Sequence, residues 1–534
     1  MLRPKQQSKN SNDKENNSNK QQPTTSIATV LQYSKQSDST LSTDLLKHSR
    51  QLLGNSSSYV DLGLPIALVL LPLLYSSIHH SLPMAIANST STVVAIERLL
   101  FASLISSSTI FFNILKSRRL VYPILITLLQ LFVYHHFFGY QLVCYIFLYL
   151  LIQFVGTKSL LTMFSGSFTV GEASIVAQLV GAFLVESFWY LINSNGLFEF
   201  SNNYFEVTDQ QVILNTVFIL ALGTLLITTL TSPLVETIRQ PYHGQSLTSK
   251  SVIAFYVVTV SIIFFILMPT LTLLNNGSNI FLWLLNYLLS SSGSRILLIG
   301  YWVVLLSFTI FYFDPNAIAN NKNIPNIIIR KYFHLLAIVM FVPGIVLQLH
   351  FMVLSFAIAI SALVLVELLK YGRVPPLATQ LSTYMDSFLD SRDSGVITLT
   401  HIYLLLGCSI PAITCFFFES STAINTSHLH PLSALSGLLT IGVGDSLASL
   451  VGTKFGRTKW FGTSKSIEGT LGGIISTFTA GVILLIAIQP TSATLFSDVI
   501  KLLIASFLSG ILEASTTQID NIILPIIFFS LLNC

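Results

Sequence analysis

Apolar runs of about 15 to 25 residues follow one another from Leu62 to the end of the chain, with short polar gaps between them. A helix needs roughly 20 such residues to cross the hydrocarbon core of a bilayer. The pattern therefore predicts an all-α, polytopic integral membrane protein with about 15 transmembrane helices. The predicted spans lie near 62–79, 93–113, 120–137, 139–155, 172–193, 211–230, 251–275, 295–313, 334–348, 350–369, 396–418, 432–452, 469–489, 495–512 and 521–533.

One further apolar run, residues 279–290, is too short to span and is interpreted as an interfacial or re-entrant helix. Composition agrees with the membrane assignment, because 52% of the residues are apolar and 9% are charged, unlike a soluble domain. The four cysteines lie in apolar stretches without metal-ligand or pairing spacing, which indicates buried free thiols.

The polar and apolar stretches predict three regions. Residues 1–55 are rich in Asn, Gln, Ser and Lys and are expected to form a disordered, polar, cytosolic tail. An amino-terminal multi-span region covers 60–313, and a carboxy-terminal catalytic membrane region covers 325–534. Residues 1–50 hold eight Lys/Arg and four Asp/Glu, which accounts for the whole net charge of +4. No basic, nucleic-acid-binding surface is therefore expected on the membrane part.

The distribution of Lys and Arg predicts the orientation, because short cytosolic loops carry an excess of these residues. With the tail in the cytosol, the gaps 80–92, 194–210, 276–294 and 419–430 face the other side and contain no Lys or Arg. Three of these gaps also hold glycosylation sequons, at Asn88, Asn276 and Asn425, as expected of a lumenal face.

Asp445 is the clearest charged residue inside a predicted span. Placing such a residue in the membrane costs roughly 2.5 to 3.5 kcal/mol on insertion scales, so it is a candidate for function. Gly442 and Gly444 flank it and would allow close approach of a ligand or another helix. The structural alternative is a buried partner for a cation or hydroxyl on a neighbouring helix.

The loop 453–473 follows directly and concentrates positive charge, hydroxyl groups and glycines, the groups that bind a polyphosphate. Glu468 stands at the start of the next helix, whose amino end also favours an anion. The alternative is a loop that is basic only because it is cytosolic. The candidate phosphate-binding residues in this loop are Lys454, Arg457, Lys459, Gly462, Thr463, Ser464, Lys465 and Ser466.

Two more motifs lie on the same predicted side. "RKYFH" places Arg330 and His334 on one side of a helix, with Lys331 beside them, at the mouth of a span. In "LEASTTQIDNIILP", Glu513 and Asp520 would share a stripe if the helix were continuous, and two carboxylates could hold Mg²⁺. The alternative for "RKYFH" is interfacial anchoring of the helix. The alternative for the two carboxylates is hydrogen bonding between helices.

The strings "RKYFH", "GVGDSLASLVGTKFG", "GTSKSIEGT" and "LEASTTQIDNIILP" resemble the polyprenol kinase family, and within it the dolichol kinases. The motif-bearing resemblance covers roughly residues 325–534. It implies a CTP-dependent kinase of the endoplasmic reticulum membrane that phosphorylates the terminal hydroxyl of dolichol with a divalent cation such as Mg²⁺. The product would supply the lipid carrier for protein glycosylation.

The resemblance also implies roles for the candidate residues. Lys454, Arg457, Lys459 and Lys465 would contact the triphosphate, and Asp445 would act as metal ligand or as base. Glu468, Glu513 and Asp520 would bind or orient the metal. Arg330, Lys331 and His334 would close the site from another helix.

Three alternatives stay open at this point. A phosphatidate cytidylyltransferase-like enzyme would also use CTP, although that family's aspartate-rich signature is missing. Phytol kinases share the motifs but usually have fewer spans. A membrane transporter would need charges near the midplane of several helices, whereas the charges here cluster toward one surface.

Overall fold

The computed structural model describes residues 140–193, 208–239, 245–290, 293–312, 326–386, 396–421, 429–460, 465–489, 494–515 and 520–533. These residues are mostly helical, and none of them belongs to a β-strand beyond an isolated bridge between Lys459 and Ser466. The prediction of an all-α protein is confirmed for this part of the chain.

The helices are labelled in chain order from the first described one, so the labels do not count the predicted spans. They are α1 (Tyr140–Met163), α2 (Val170–Asn193), α3 (Asp209–Arg239), α4 (Gln245–Ile262), α5 (Met268–Leu274), α6 (Ile280–Leu289), α7 (Ser294–Tyr312), α8 (Asn326–Leu347), α9 (Leu349–Gly372), α10 (Leu377–Asp386), α11 (Leu399–Ser421), α12 (Ser446–Phe455), α13 (Ile467–Ile488), α14 (Leu495–Ser515) and α15 (Asp520–Leu532). Two π-helical segments, Ile263–Leu267 and Leu438–Asp445, precede α5 and α12.

Six helical segments within the described ranges are long and apolar enough to cross a membrane. Helix α6 meets the first part of α7 at 92°. If the two helices together form one broken span, the described residues contain seven candidate spans. Such a bend fits the interfacial or re-entrant helix predicted for 279–290. The tail and the first three predicted spans lie outside the described residues. The total of about 15 spans therefore stays a prediction.

The carboxy-terminal helices pack around the π-helical segment Leu438–Asp445. This segment contacts α8, α13, α14 and α15. Its leucines share a buried core with Leu485 of α13, Leu502 of α14 and Phe528 of α15. Lipid tails are as apolar as the side chains, so the hydrophobic effect does not drive helices together in a bilayer. Close packing of this kind is what holds them together there. Cys408 and Cys415 in α11 are buried thiols, as predicted for these two of the four cysteines.

Helix α11 approaches α15 so closely that no side chain fits between the two backbones. A Cβ added at Gly407 would lie 1.9 Å from the carbonyl oxygen of Asn521. A Cβ at Gly437 would in turn lie 2.2 Å from the carbonyl oxygen of Gly407. Because Asn521 directly follows Asp520, this backbone contact fixes the first turn of α15 against the π-helical segment.

We expect Gly407→Ala to destabilise the protein by about 3 kcal/mol or more, the upper end of overpacking penalties. The added methyl group can be accommodated only if α11 and α15 move apart. The unfolding temperature of the purified protein in detergent measures the effect. Gly300→Ala in α7 is the matched control, because a Cβ there has open space. Equal unfolding temperatures for the two variants would contradict the interpretation.

Candidate active site

Asp445 is the last residue of the π-helical segment and is buried, with 7% of its surface exposed. A π-helical turn carries an extra residue, and such turns occur often at functional sites. The next helix, α12, starts at Ser446 and leads to the basic loop. The carboxylate therefore lies at a change of helical geometry, one short helix before the loop that the sequence marked as a phosphate-binding candidate.

Helix α8 supplies a lysine and a histidine beside Asp445. Lys331 Nζ forms a salt bridge with Asp445 Oδ2, and His334 Nδ1 lies 3.3 Å from the same oxygen. The helix can come this close because position 442 has no side chain: a Cβ at Gly442 would lie 2.5 Å from Ile338 Cγ1. Arg330 belongs to α8, but its side chain lies outside the described part of the structure.

Three carboxylates meet in this region: Asp445, Glu513 and Asp520. Each offers an oxygen, and these oxygens lie within 4.8 Å of one another. Glu513 comes from the last turn of α14, and Asp520 is the first residue of α15. Asp445 and Asp520 are buried and Glu513 is half-buried. Three hard oxygen donors at this spacing suit a divalent cation such as Mg²⁺.

Glu513 and Asp520 do not share a stripe on one continuous helix. Helix α14 ends at Ser515 and α15 begins at Asp520, so the two carboxylates belong to separate helices. They meet because the end of one helix lies beside the start of the next. The spacing in sequence was a correct indication of proximity, but the continuous helix on which that expectation depended is not formed.

Lys465 links the basic loop to the carboxylates. Its Nζ donates a hydrogen bond to the backbone carbonyl oxygen of Glu513 at 2.5 Å. The same nitrogen lies 3.5 Å from Asp520 Oδ2 and 3.8 Å from Glu513 Oε1. The lysine side chain is 24% exposed, so it faces both the cluster and the open side of the site.

The basic loop is held in place by its own backbone. The Trp460 amide donates to the Lys465 carbonyl oxygen at 3.0 Å, and the Ile467 amide donates to the Thr458 carbonyl oxygen at 2.9 Å. Ser466 is buried and caps α13, because its hydroxyl accepts a hydrogen bond from the Gly469 amide. These bonds fold the loop back onto the start of α13, which directs Lys465 toward the carboxylates.

Glu468 lies apart from the three grouped carboxylates. Both of its carboxylate oxygens accept from the Thr458 amide, at 3.0 and 3.2 Å, so it holds the loop. Lys454, Arg457 and Lys459 are exposed on the loop side. The other predicted loop residues, Gly462, Thr463 and Ser464, lie outside the described residues.

The charges of the site nearly balance. Three acidic side chains, Asp445, Glu513 and Asp520, meet two basic ones, Lys331 and Lys465. A divalent cation would reverse the sign of the site and make it attractive to a triphosphate. The arrangement is therefore chemically suited to phosphoryl transfer, which depends on positioning and neutralisation of charge.

A small pocket that the sequence analysis did not predict lies beside Glu513. It is lined by Thr440, Gly444, Gly473, Thr477, Ser506, Ser509, Gly510, Glu513 and Leu524. One signal could have indicated it: Ser506, Ser509 and Glu513 recur on one face of α14, at spacings of three and four residues. Serines are common in membrane helices, however, and the spacing does not show which of them line a pocket.

Comparisons with known proteins agree with this chemistry. Dolichol kinase EVAN of Arabidopsis thaliana is 36% identical over 253 residues, which cover 47% of this chain and 42% of that protein. Human dolichol kinase is 33% identical over 259 residues, covering 48% and 47% of the two chains. The corresponding values for dolichol kinase of Saccharomyces cerevisiae are 29% identity over 284 residues, covering 52% and 50%.

The chain thus spans about half the length of the curated relatives it matches. A phytol kinase of Synechocystis is 35% identical over 102 residues, which is 18% of this chain and 41% of that protein. No solved structure matches the chain. The family model described as dolichol kinase matches residues 44–511, which include Asp445, Lys465 and the loop between them. This match covers most of the chain and confirms the resemblance of its motifs, so the protein belongs to the dolichol kinase family.

Proposed function

We propose that this protein phosphorylates the terminal hydroxyl group of dolichol, with CTP as the phosphoryl donor and Mg²⁺ as the metal. The observation that carries the proposal is the convergence of Asp445, Glu513, Asp520, Lys331 and Lys465 from sequence-distant segments. The names of the relatives support a lipid alcohol as acceptor. The resemblance of the motifs to this family is the basis for choosing CTP.

In this proposal the three carboxylates are the metal ligands, and the metal would neutralise charge on the donor phosphates. Lys465 reaches the cluster from the loop and would contact the phosphate next to the transferred group. Lys331 and His334 hold Asp445 from the opposite element, α8. Lys454, Arg457 and Lys459 would attract the remaining phosphates from the exposed loop side.

The transfer step follows from this placement. The alcohol oxygen forms a bond to the γ-phosphorus, and the bond from that phosphorus to the β–γ bridging oxygen breaks. CDP leaves, and the proton of the alcohol passes to a carboxylate of the cluster. The protein's contribution is to hold the two substrates in line and to offset the negative charge.

The proposed setting is the endoplasmic reticulum membrane, with the amino-terminal tail and the catalytic loop 453–473 in the cytosol. The absence of Lys and Arg from the four opposite gaps of the sequence supports this orientation. CTP would then reach the loop from the cytosol, while dolichol stays in the bilayer. The product would serve as the lipid carrier for protein glycosylation.

A second candidate is phosphorylation of a shorter isoprenoid alcohol. The match to a phytol kinase supports it, although that match covers 18% of the chain, against about half for the dolichol kinases. Purified protein in liposomes, supplied with Mg²⁺, radiolabelled CTP or ATP, and dolichol or phytol, tests both. Labelled dolichyl phosphate formed from CTP is expected. Product formed with ATP but not with CTP would overturn the assignment of CTP as donor. Product formed from phytol but not from dolichol would overturn the assignment of dolichol as acceptor.

We expect Asp445→Asn, Glu513→Gln and Asp520→Asn each to lower kcat by at least about a hundredfold, because each removes a charged metal ligand. The Mg²⁺ concentration for half-maximal rate should rise as well. Steady-state rates of dolichyl phosphate formation across a Mg²⁺ titration measure both effects. Glu236→Gln is the control, since Glu236 is exposed near the end of α3. Wild-type Mg²⁺ dependence in all three variants would disprove the metal site.

Glu468 is expected to position the loop and not to bind the metal. Glu468→Ala removes the acceptor for the Thr458 amide and should raise the KM for CTP about three- to tenfold, the range for one ordinary hydrogen bond at an exposed position. Glu468→Gln keeps an oxygen acceptor and should retain most of the CTP affinity. Initial rates at varied CTP measure the difference. If Gln impairs kcat as much as Ala does, Glu468 is a metal ligand or base instead.

A further inference from the structure

We infer that the pocket between α13, α14 and the π-helical segment binds the terminal hydroxyl of the lipid alcohol. The inference rests on the proposed kinase activity and assigns its acceptor subsite. Ser506 and Ser509 of α14, Thr477 of α13 and Glu513 supply the polar lining. The apolar side chain of Leu524 in α15 also lines the pocket.

Two serines in this pocket lack the partners that buried hydroxyl groups normally have. Ser506 and Ser509 are 2% and 5% exposed, and within the described part of the chain neither hydroxyl has a hydrogen-bond partner. Other hydroxyls on these helices bond to a carbonyl oxygen of the preceding turn, as Thr440 and Thr479 do. Two buried, unpaired hydroxyls that face one pocket indicate a ligand that can donate and accept hydrogen bonds.

The position of the pocket separates the two substrates. Ser506 precedes Glu513 by seven residues, which corresponds to about 10 Å along a helix. Lys465 belongs to the basic loop and approaches Glu513 from the side away from Ser506. The pocket therefore lies on the Ser506 side of the carboxylates, along the apolar length of α14, and the basic loop lies on the other side. A nucleotide from water and an alcohol from lipid can approach the cluster from these two sides.

The chemistry of the lining favours an alcohol over a phosphate. None of the residues that line the pocket carries a positive charge, and Glu513 contributes a carboxylate. An anion would be repelled there, whereas a neutral hydroxyl can donate to Glu513 and accept from a serine. The space is about the size of one water molecule, so it admits a hydroxyl group and excludes a nucleotide. Glu513 is then the carboxylate of the cluster that lines the subsite for the hydroxyl.

Serine variants of the full-length protein in liposomes test the subsite. Ser509→Ala should raise the KM for dolichol about three- to tenfold, the range expected for one lost hydrogen bond, without changing the KM for CTP. Ser509→Val fills the pocket and should lower kcat/KM for dolichol by at least about a hundredfold. CTP binding measured by calorimetry should stay at the wild-type affinity in both variants. Ser497→Val is the matched control, because Ser497 is exposed in the first turn of the same helix.

The outcomes separate this subsite from the activity on which it depends. Wild-type protein that forms no dolichyl phosphate would disprove the kinase proposal, and the subsite with it. An active wild type with unchanged dolichol kinetics in Ser509→Val would disprove the subsite alone and leave only structural water as its occupant. Equal losses of CTP and dolichol affinity would show a general distortion and would also overturn the inference.

Discussion

The need to neutralise buried negative charge controls the structure of the carboxy-terminal region. Three carboxylates with oxygens within 4.8 Å would repel one another strongly in a site shielded from water. Lys331 from α8 and Lys465 from the loop offset most of this charge. Lys331 therefore ties α8 to the π-helical segment, and Lys465 ties the loop to the end of α14 and the start of α15. The same balance leaves one more carboxylate than lysine, which a bound divalent cation would offset.

Glycine contacts make this arrangement possible, because the charged groups reach one another only if the helix backbones come close. Gly407 allows α11 to approach Asn521, next to Asp520. Gly442 allows α8 to approach the π-helical segment that carries Asp445. A helix bundle in lipid has no hydrophobic drive for association, so such close approach is a principal source of its stability. The stability of the bundle and the geometry of the site thus depend on the same positions.

The site also divides the two proposed substrates between two sides. Exposed cations and a folded-back loop lie on one side, and a hydroxyl-lined pocket without cations lies on the other. A kinase that acts on a membrane lipid must combine a highly charged donor with an acceptor that does not leave the bilayer. In the proposed reaction, carboxylates between these two sides would bring the reacting atoms together and keep the triphosphate out of the apolar interior.

The amino-acid sequence by itself determined the class of the protein and most of the charged residues of the site. Apolar runs indicate membrane helices, and Asp445 is exceptional because charge inside a span is costly. Motifs beside the spans mark the other four charged residues, which are Lys331, Lys465, Glu513 and Asp520. Only the tertiary structure decided which of these residues meet. Glu468 looked equivalent to Glu513 in sequence, yet it bonds the Thr458 amide. Likewise, Ser506 and Ser509 looked like ordinary helix serines. The physical reason is that local sequence fixes helices and their polarity, whereas contacts between distant helix ends depend on backbone approach that local patterns do not encode.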